Sequence, residues 1–364
     1  MKRPLWALAN RVREQVVWTD AAVRGAIRRV HGPEDVQCGP HEMVVLCLVR
    51  DGAMWLDAFV DHYLALGARH IFFLDNDSGD DTVARASRYD RVSVFTTTLP
   101  FKHFELGLRR WLTKKLGHDR WSLAPDADEL WDYPASDRLP LAGFLRYLRH
   151  HGYKAVTSHA LDMFSDLPFS RLESRPGDDL KGKYRYYDIS DVITTRDVYW
   201  IRNGQARSDV AFSTFGGVRE RFFGSRCLCQ TRHALLFADD TIAPYRFDGH
   251  FTANAPVADV TTVLLHYKFV GTIVEQARTN LEMGQHWGGS AHYRGIHEAL
   301  SRNPDLCLRT ESAAEFTDVQ QLVDEGFLTV SEAYLRWVEE HGRGAAANAP
   351  GALVARSGST GGAP

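Results

Sequence analysis

The 364-residue sequence has only five cysteines, Cys38, Cys47, Cys227, Cys229 and Cys307, and none are spaced Cys-x-x-Cys. An odd, scattered set in a long chain argues against a disulfide framework and a structural zinc site, and fits a reducing compartment. Cys47 lies inside an apolar run and reads as a small core residue. No apolar run approaches the roughly 18 residues of a membrane span. The start, Met1 to Asn10, begins like a signal peptide, but Asn10, Arg11, Arg13 and Glu14 interrupt any apolar segment, so the expected location is cytoplasmic. Excess charge of one sign is also missing: the formal net charge is −3, which gives no general pull toward nucleic acid. There is no Gly-x-Gly-x-x-Gly turn and no Gly-Lys-Thr loop after any expected strand, so dinucleotide-binding and P-loop readings lose their main support. No internal repeat is visible.

What is present is an ordinary globular composition, 44% hydrophobic and 24% charged. Residues 1–32 mix Lys2, Arg3, Arg11, Arg13, Arg24, Arg28 and Arg29 with Trp6, Leu8, Val12, Val16, Val17 and Trp18. The expectation is a helix packed on the body with its basic face in water; the alternative is peripheral contact with an anionic membrane at the cytoplasmic face. Gly32-Pro33 and Gly39-Pro40 then punctuate the chain.

From Met43 the pattern alternates. Met43–Val49 is a continuous apolar run of strand length, as in a parallel strand covered on both faces. A helix follows to Gly67, with Leu56, Phe59, Tyr63 and Leu66 on one face and Gly67 as its stop. His70–Leu74 reads as a second strand, ending in the acidic turn Asp75-Asn76-Asp77-Ser78-Gly79-Asp80-Asp81. A helix over Thr82–Tyr89, capped by Ser78 or Asp80, a strand over 92–98 and a helix over 103–117 come next. The run from Trp121 to Trp131 closes the series. Alternating strands and helices imply an α/β, doubly wound, mostly parallel sheet whose strand-end loops meet along one edge.

Read as a buried strand, the last run places Asp126 and Asp128, two positions apart, on one face at the edge where open α/β sheets bind ligands. Two hard carboxylates with room for water and phosphate oxygens suit Mg²⁺ or Mn²⁺ on a nucleoside diphosphate.

Several segments, taken in order, carry a family resemblance. They are Cys47-Leu48-Val49-Arg50-Asp51, the stretch from Trp55 to Tyr63, Gly67 to Asp80, and Trp121 with Asp126-Ala127-Asp128-Glu129. Looser matches are Phe215–Phe222 and Leu264-Leu265-His266-Tyr267-Lys268-Phe269. Together they resemble family-2-like glycosyltransferases of GT-A fold, in the bacterial branch with Asp-x-Asp-Glu after a Trp-containing strand. Arg50-Asp51 departs from the Lys-Asn-Glu common there. The resemblance implies a metal-dependent transfer of a sugar from a nucleotide-sugar donor to a glycan or lipid-linked acceptor. It implies nucleotide contacts at Val49, Arg50, Asp75 and Asp77, and metal ligands at Asp126 and Asp128, with His266 as the third and His250 as second choice. Arg109 and Lys268 are candidates for pairing with phosphate oxygens. For the catalytic base, Glu220, Asp248 and Asp162 stay open.

The organisation expected is an N-terminal basic helical extension (1–40), a GT-A domain (41–290) with an irregular acceptor-side half, a C-terminal helical segment (291–341) and a disordered tail (342–364). In the second half, helices are expected over 273–283 and as a pair within 317–341 with Thr317 and Ser331 as caps. The stretch His286-Trp287-Gly288-Gly289-Ser290 is expected as a glycine-rich loop with a lid role. Two other function classes remain: a nucleotidyltransferase, and a nucleotide- or glycan-binding module without turnover.

Overall fold

A computed structural model describes residues 20–196, 210, 212–225, 228–245, 249–284 and 287–342. The expectations for residues 1–19, for the tail beyond Gly342, and for Asp248 and His286 therefore fall outside the described residues.

The architecture is mixed α/β around a nine-stranded sheet. Its strands are β1 (Arg28–His31), β2 (Met43–Val49), β3 (His70–Asp75), β4 (Val92–Thr96), β5 (Trp121–Leu123), β6 (Glu129–Asp132), β7 (Ala155–Asp162), β8 (Thr231–Phe237) and β9 (Thr262–His266). Their spatial order is β1-β4-β3-β2-β5-β8-β7-β9-β6. Strands β2, β3, β4, β5, β7 and β9 share one direction, and β1, β6 and β8 oppose it. The sheet is thus mostly parallel, as expected, with an antiparallel strand at each edge and one in the middle.

The central strands are apolar throughout because both faces are covered. On one face Val45, Cys47, Val49, Ile71 and Phe73 pack with Leu56, Phe59, Val60 and Tyr63 of α1 (Ala53–Leu66). On the other, Val44, Leu46, Leu48, Phe72 and Leu74 meet Leu108, Leu112 and Leu116. Those leucines belong to α3 (Phe101–Leu116), which follows the short α2 (Thr82–Ala86). Each fully buried Leu or Phe contributes about 1.5–3 kcal/mol, so the unbroken apolar run in β2 favours this two-faced burial strongly. Gly67 ends α1 at φ 105, a conformation that side-chain-bearing residues adopt only under strain.

Register lines up the ends of the parallel strands. Val49 pairs with Asp75, and Asp75 with Thr96. Across the other half, Asp162 pairs with His266 and His266 with Glu129. Beyond the sheet lie α4 (Leu141–His150), α5 (Val218–Phe223), α6 (Ile273–Met283), α7 (Trp287–Arg302), α8 (Val319–Asp324) and α9 (Glu332–Gly342). The expected helix over 273–283 is present, and so is the pair near the C-terminus. Ser331 Oγ accepts from Tyr334 N at 3.0 Å at the start of α9, but α8 is capped by Asp318, whose Oδ1 accepts from Gln321 N at 3.0 Å, rather than by Thr317.

Three expectations need correction. The helix after the acidic turn stops at Ala86, short of Tyr89. Trp287 to Ser290 form the first turn of α7 instead of a glycine-rich loop. Gly295 lets that helix press against α5, since a Cβ there would lie 2.3 Å from the Phe223 carbonyl oxygen. Finally, the Trp121 strand ends at Leu123, and the paired aspartates occupy a turn closed by Glu129 N donating to Asp126 O at 3.0 Å. After it β6 runs to the far edge of the sheet. Strand alternation therefore does not bring these aspartates together; the turn does.

Candidate functional site

A cleft of approximately 790 Å³ opens beside the strand tips. One wall is the end of β2 (Val49, Arg50, Asp51), Asn76 after β3, Arg109 and Glu105 of α3, the turn Asp126–Asp128, and His266 and Lys268 at the end of β9. The rest comes from Phe223 to Ser225 after α5, from Glu275, Gln276, Thr279 and Asn280 of α6, and from His292 and Tyr293 of α7. Residues far apart in sequence meet here because the sheet register ends its strands level.

Seven of the residues singled out from sequence line this cleft: Val49, Arg50, Arg109, Asp126, Asp128, His266 and Lys268, as does His250. Asp75, Asp77, Asp162 and Glu220 do not line it. The acidic turn is spent on local structure. Asp75 is 3% exposed and its Oδ2 accepts from Ser78 N at 3.1 Å, while Asp80 Oδ2 accepts from Ala53 N at 3.1 Å at the start of α1. Asp77 sits exposed at φ 63. Even so, Asp75 Oδ1 and the neighbouring Asn76 Oδ1 are buried acceptors with no hydrogen bond among the described residues.

Asp126 has a guanidinium on each oxygen: Arg109 Nη2 at 3.1 Å from Oδ1, and Arg232 Nη2 at 2.9 Å from Oδ2. Burial works against its ionisation, but the two arginines hold the carboxyl well below the usual range. Arg232 also donates to Glu129 Oε1 at 2.7 Å, and Glu129 Oε2 accepts from Asp126 N at 2.8 Å. Burial raises the Glu129 carboxyl despite Arg232.

Asp128 faces a different partner. Its Oδ2 lies 3.2 Å from His266 Nε2. Burial opposes its charge, yet His266 and Lys268 hold its carboxyl below the ordinary value. His266 Nδ1 lies 2.6 Å from Asp162 Oδ1. Burial alone would discharge this imidazole, but the carboxylates of Asp128 and Asp162 raise it to about 9. Asp162 is itself held by Arg219 through two bonds of 2.7 Å, so both its oxygens are engaged, and it does not line the cleft.

Lys268 Nζ donates to Tyr293 OH at 3.2 Å. Burial disfavours its charge, but Tyr293 and Asp128 shift its ammonium upward, so it stays cationic in the cleft. Two other histidines are neutral there. Burial, with Arg232 and Arg109, lowers His250 to about 3. Burial, with Lys268 and Arg219, lowers His292 to about 2. Among the described residues, no three His, Cys, Asp or Glu side chains gather into a complete metal cage.

Sequence reading did not find Arg232, Arg219, Asn76 or Tyr293. Arg232 sits on β8, a strand that the apolar pattern did not reveal; Arg219 and Asn76 lie inside segments that carry the resemblance but were given no role, and Tyr293 carries no local motif.

No family model matches the sequence, and no curated protein matches it. Among solved structures, similarity is found to a mannosyltransferase from Pyrobaculum calidifontis in complex with GDP-Man and Mn²⁺, at 13% identity over 94% of this chain and 96% of that one, TM-score 0.28. A UTP-bound UGPase from Acinetobacter baumannii is 10% identical over 82% of this chain and 92% of that one, TM-score 0.23. A 4-diphosphocytidyl-2C-methyl-D-erythritol synthase is 12% identical over 38% of this chain, TM-score 0.22, and 64% of that synthase is covered. No described helix is long and apolar enough to cross a membrane.

Proposed function

We propose that this protein is a glycosyltransferase of GT-A type that takes a sugar from a nucleotide-sugar donor bound in the cleft. The observation that carries the reading is the pairing of Asp128 Oδ2 and His266 Nε2, 3.2 Å apart, on a wall that also presents Lys268 and Arg109. Neighbouring positions around an octahedral divalent ion with bonds of about 2.1 Å are separated by about 3.0 Å. The donor pair therefore fits Mn²⁺ or Mg²⁺ with the Nε2 proton displaced to solvent on binding, and water and diphosphate oxygens would complete the shell. When bound, the ion supplies positive charge against the negative charge that grows on the leaving nucleoside diphosphate.

The chain's own residues then divide the work. Lys268 and Arg109 pair with phosphate oxygens. Asp126, occupied by two guanidiniums, orients Arg109 rather than ligating the ion, which revises its role as a ligand. Asn76 Oδ1, a buried acceptor of a residue on the cleft wall, receives an N–H or O–H group of a nucleobase or ribose, and Asp75, off the wall, braces the turn beside it. Gln276, Thr279 and Asn280 on α6 offer amides and hydroxyls to an acceptor, whether a glycan or a lipid-linked one. Asp162 and Glu220 are not the base in this reading, since neither lines the cleft.

The test is calorimetric binding of UDP-, GDP- and CMP-sugars with and without Mn²⁺, in wild type and Asp128→Ala, with donor turnover followed in the same samples. Metal-dependent binding of one donor class, abolished in Asp128→Ala with the fold intact, is expected. Equal metal-dependent affinity in that variant overturns the reading. Release of pyrophosphate from a nucleoside triphosphate and a sugar phosphate points instead to a nucleotidyltransferase, and binding without turnover to a non-catalytic module.

A further inference from the structure

A chain of four side chains runs from the interior to the cleft wall: Arg219, Asp162 and His266, all buried, and the half-buried Asp128, of which only the last two touch the cleft. Sheet register sets Asp162 of β7 beside His266 of β9. Their contact, Asp162 Oδ1 to His266 Nδ1 at 2.6 Å, is shorter than the 3.2 Å between His266 Nε2 and Asp128 Oδ2. Arg219 reaches Asp162 from α5, where Gly216 at φ 79 and Gly217 at φ 64 turn the backbone into the helix. Its Nε and Nη2 each donate to a different Asp162 oxygen at 2.7 Å.

Arg219 Nη2 also comes within 2.6 Å of His266 Nδ1. Guanidinium nitrogens only donate. With Nδ1 carrying a proton, both donors converge on Asp162 Oδ1, and that oxygen makes their proximity tolerable. Without the carboxylate, the imidazole has two ring orientations to choose from and a cation pressing on Nδ1. A carboxylate on the ring nitrogen remote from a ligating one fixes the tautomer and aim of the histidine.

We propose that Asp162, clamped by Arg219, is a positioning residue that locks the His266 ring with Nε2 toward Asp128, so that the two present a single two-point cation site. The proposal rests on the metal-dependent reading above. It gives Asp162 a role that needs no contact with substrate and accounts for a carboxylate 6% exposed with both oxygens engaged.

The test uses the full chain and Mn²⁺ alone, with free Mn²⁺ followed by electron paramagnetic resonance, in wild type, Asp162→Asn and Arg219→Lys. Loss of such an outer partner lowers metal affinity by roughly 10–100-fold, and that is expected for Asp162→Asn at unchanged near-ultraviolet circular dichroism. In metal-free wild type, a downfield imidazole N–H proton resonance assigned through His266→Gln is expected, displaced upfield in Asp162→Asn. Unchanged Mn²⁺ affinity together with an unmoved resonance overturns the proposal. Should Asp162→Asn not fold, Arg219→Lys, which keeps the charge but loses the fork, decides by the same two readouts. If wild type itself binds no Mn²⁺, the metal-dependent reading fails, while the N–H resonance still shows whether Asp162 holds the ring.

Discussion

Replacing Arg232 by Met removes the one cation shared by Asp126 and Glu129, and the two acids are left in unequal positions. Asp126 is 34% exposed at its side chain and retains Arg109. Glu129 is 1% exposed and, among the described residues, retains the backbone N–H of Asp126 as its hydrogen-bond donor. The cost therefore falls mainly on Glu129, a charge stranded in the interior. Breaking a buried pair from one side costs about 3–5 kcal/mol, roughly two to four decades in the folding equilibrium at ~1.4 kcal/mol per decade. Combining Arg232→Met with Glu129→Gln removes the stranded charge, so a large part of the loss should return, with a coupling of about 0.5–3 kcal/mol. Urea unfolding at neutral pH, followed by tryptophan fluorescence across wild type, both single variants and the double variant, measures each corner of the cycle. A single-variant cost below about 1 kcal/mol, as for an exposed ion pair, or a coupling of zero, would refute this account of the Arg232 network.

Asp188 and Gly295 give two further tests. Asp188, with no exposed side-chain surface, accepts from Ser190, Thr310, Ser312 and Arg221, and these donors outweigh burial and depress its carboxyl. A depressed acid stabilises the fold above its unfolded pKa of about 3.9 and loses that contribution as pH falls toward the folded value. Asp188→Asn should thus cost about 1.5–3 kcal/mol at pH 7 and flatten the decline in urea midpoint below pH 4; an equal slope in both proteins sinks this assignment. Gly295→Ala drives a methyl into the Phe223 carbonyl, which as backbone has little room to yield, so α7 must shift from α5 at about 1–3 kcal/mol. Thermal unfolding should record the loss, and an unchanged Tm rules out the tight approach.

The first half of the fold was legible because its strands are buried on both faces and written as unbroken apolar runs, and because Gly67 marks a helix end that needs a left-handed residue. The second half was harder. Strand β8 carries Arg232 and His233 inside its apolar pattern, and the acids that neutralise Arg232 lie in the turn around Asp126, over a hundred positions earlier. Local reading cannot pair them. Asp126 and Asp128 do line the cleft, on a turn and not on the strand face that the spacing suggested. Asp75 shows the limit of motif reading: a short acidic side chain is as useful to a turn's own N–H groups as to any ligand. Asp162 looked like a base because an isolated carboxylate in sequence gives no hint of the guanidinium folded over it.

The position of β8 bears on how the chain is made. Among the described residues it alone joins the β5 edge to the β7 edge, yet it is synthesised long after both. At roughly 5–20 residues per second, the nascent polypeptide carries an open β5 margin for on the order of ten seconds. Bare margins of this kind template pairing between neighbouring chains. Ribosomes spaced closely on one message would hold several such margins within reach of each other until residues 231–237 arrive.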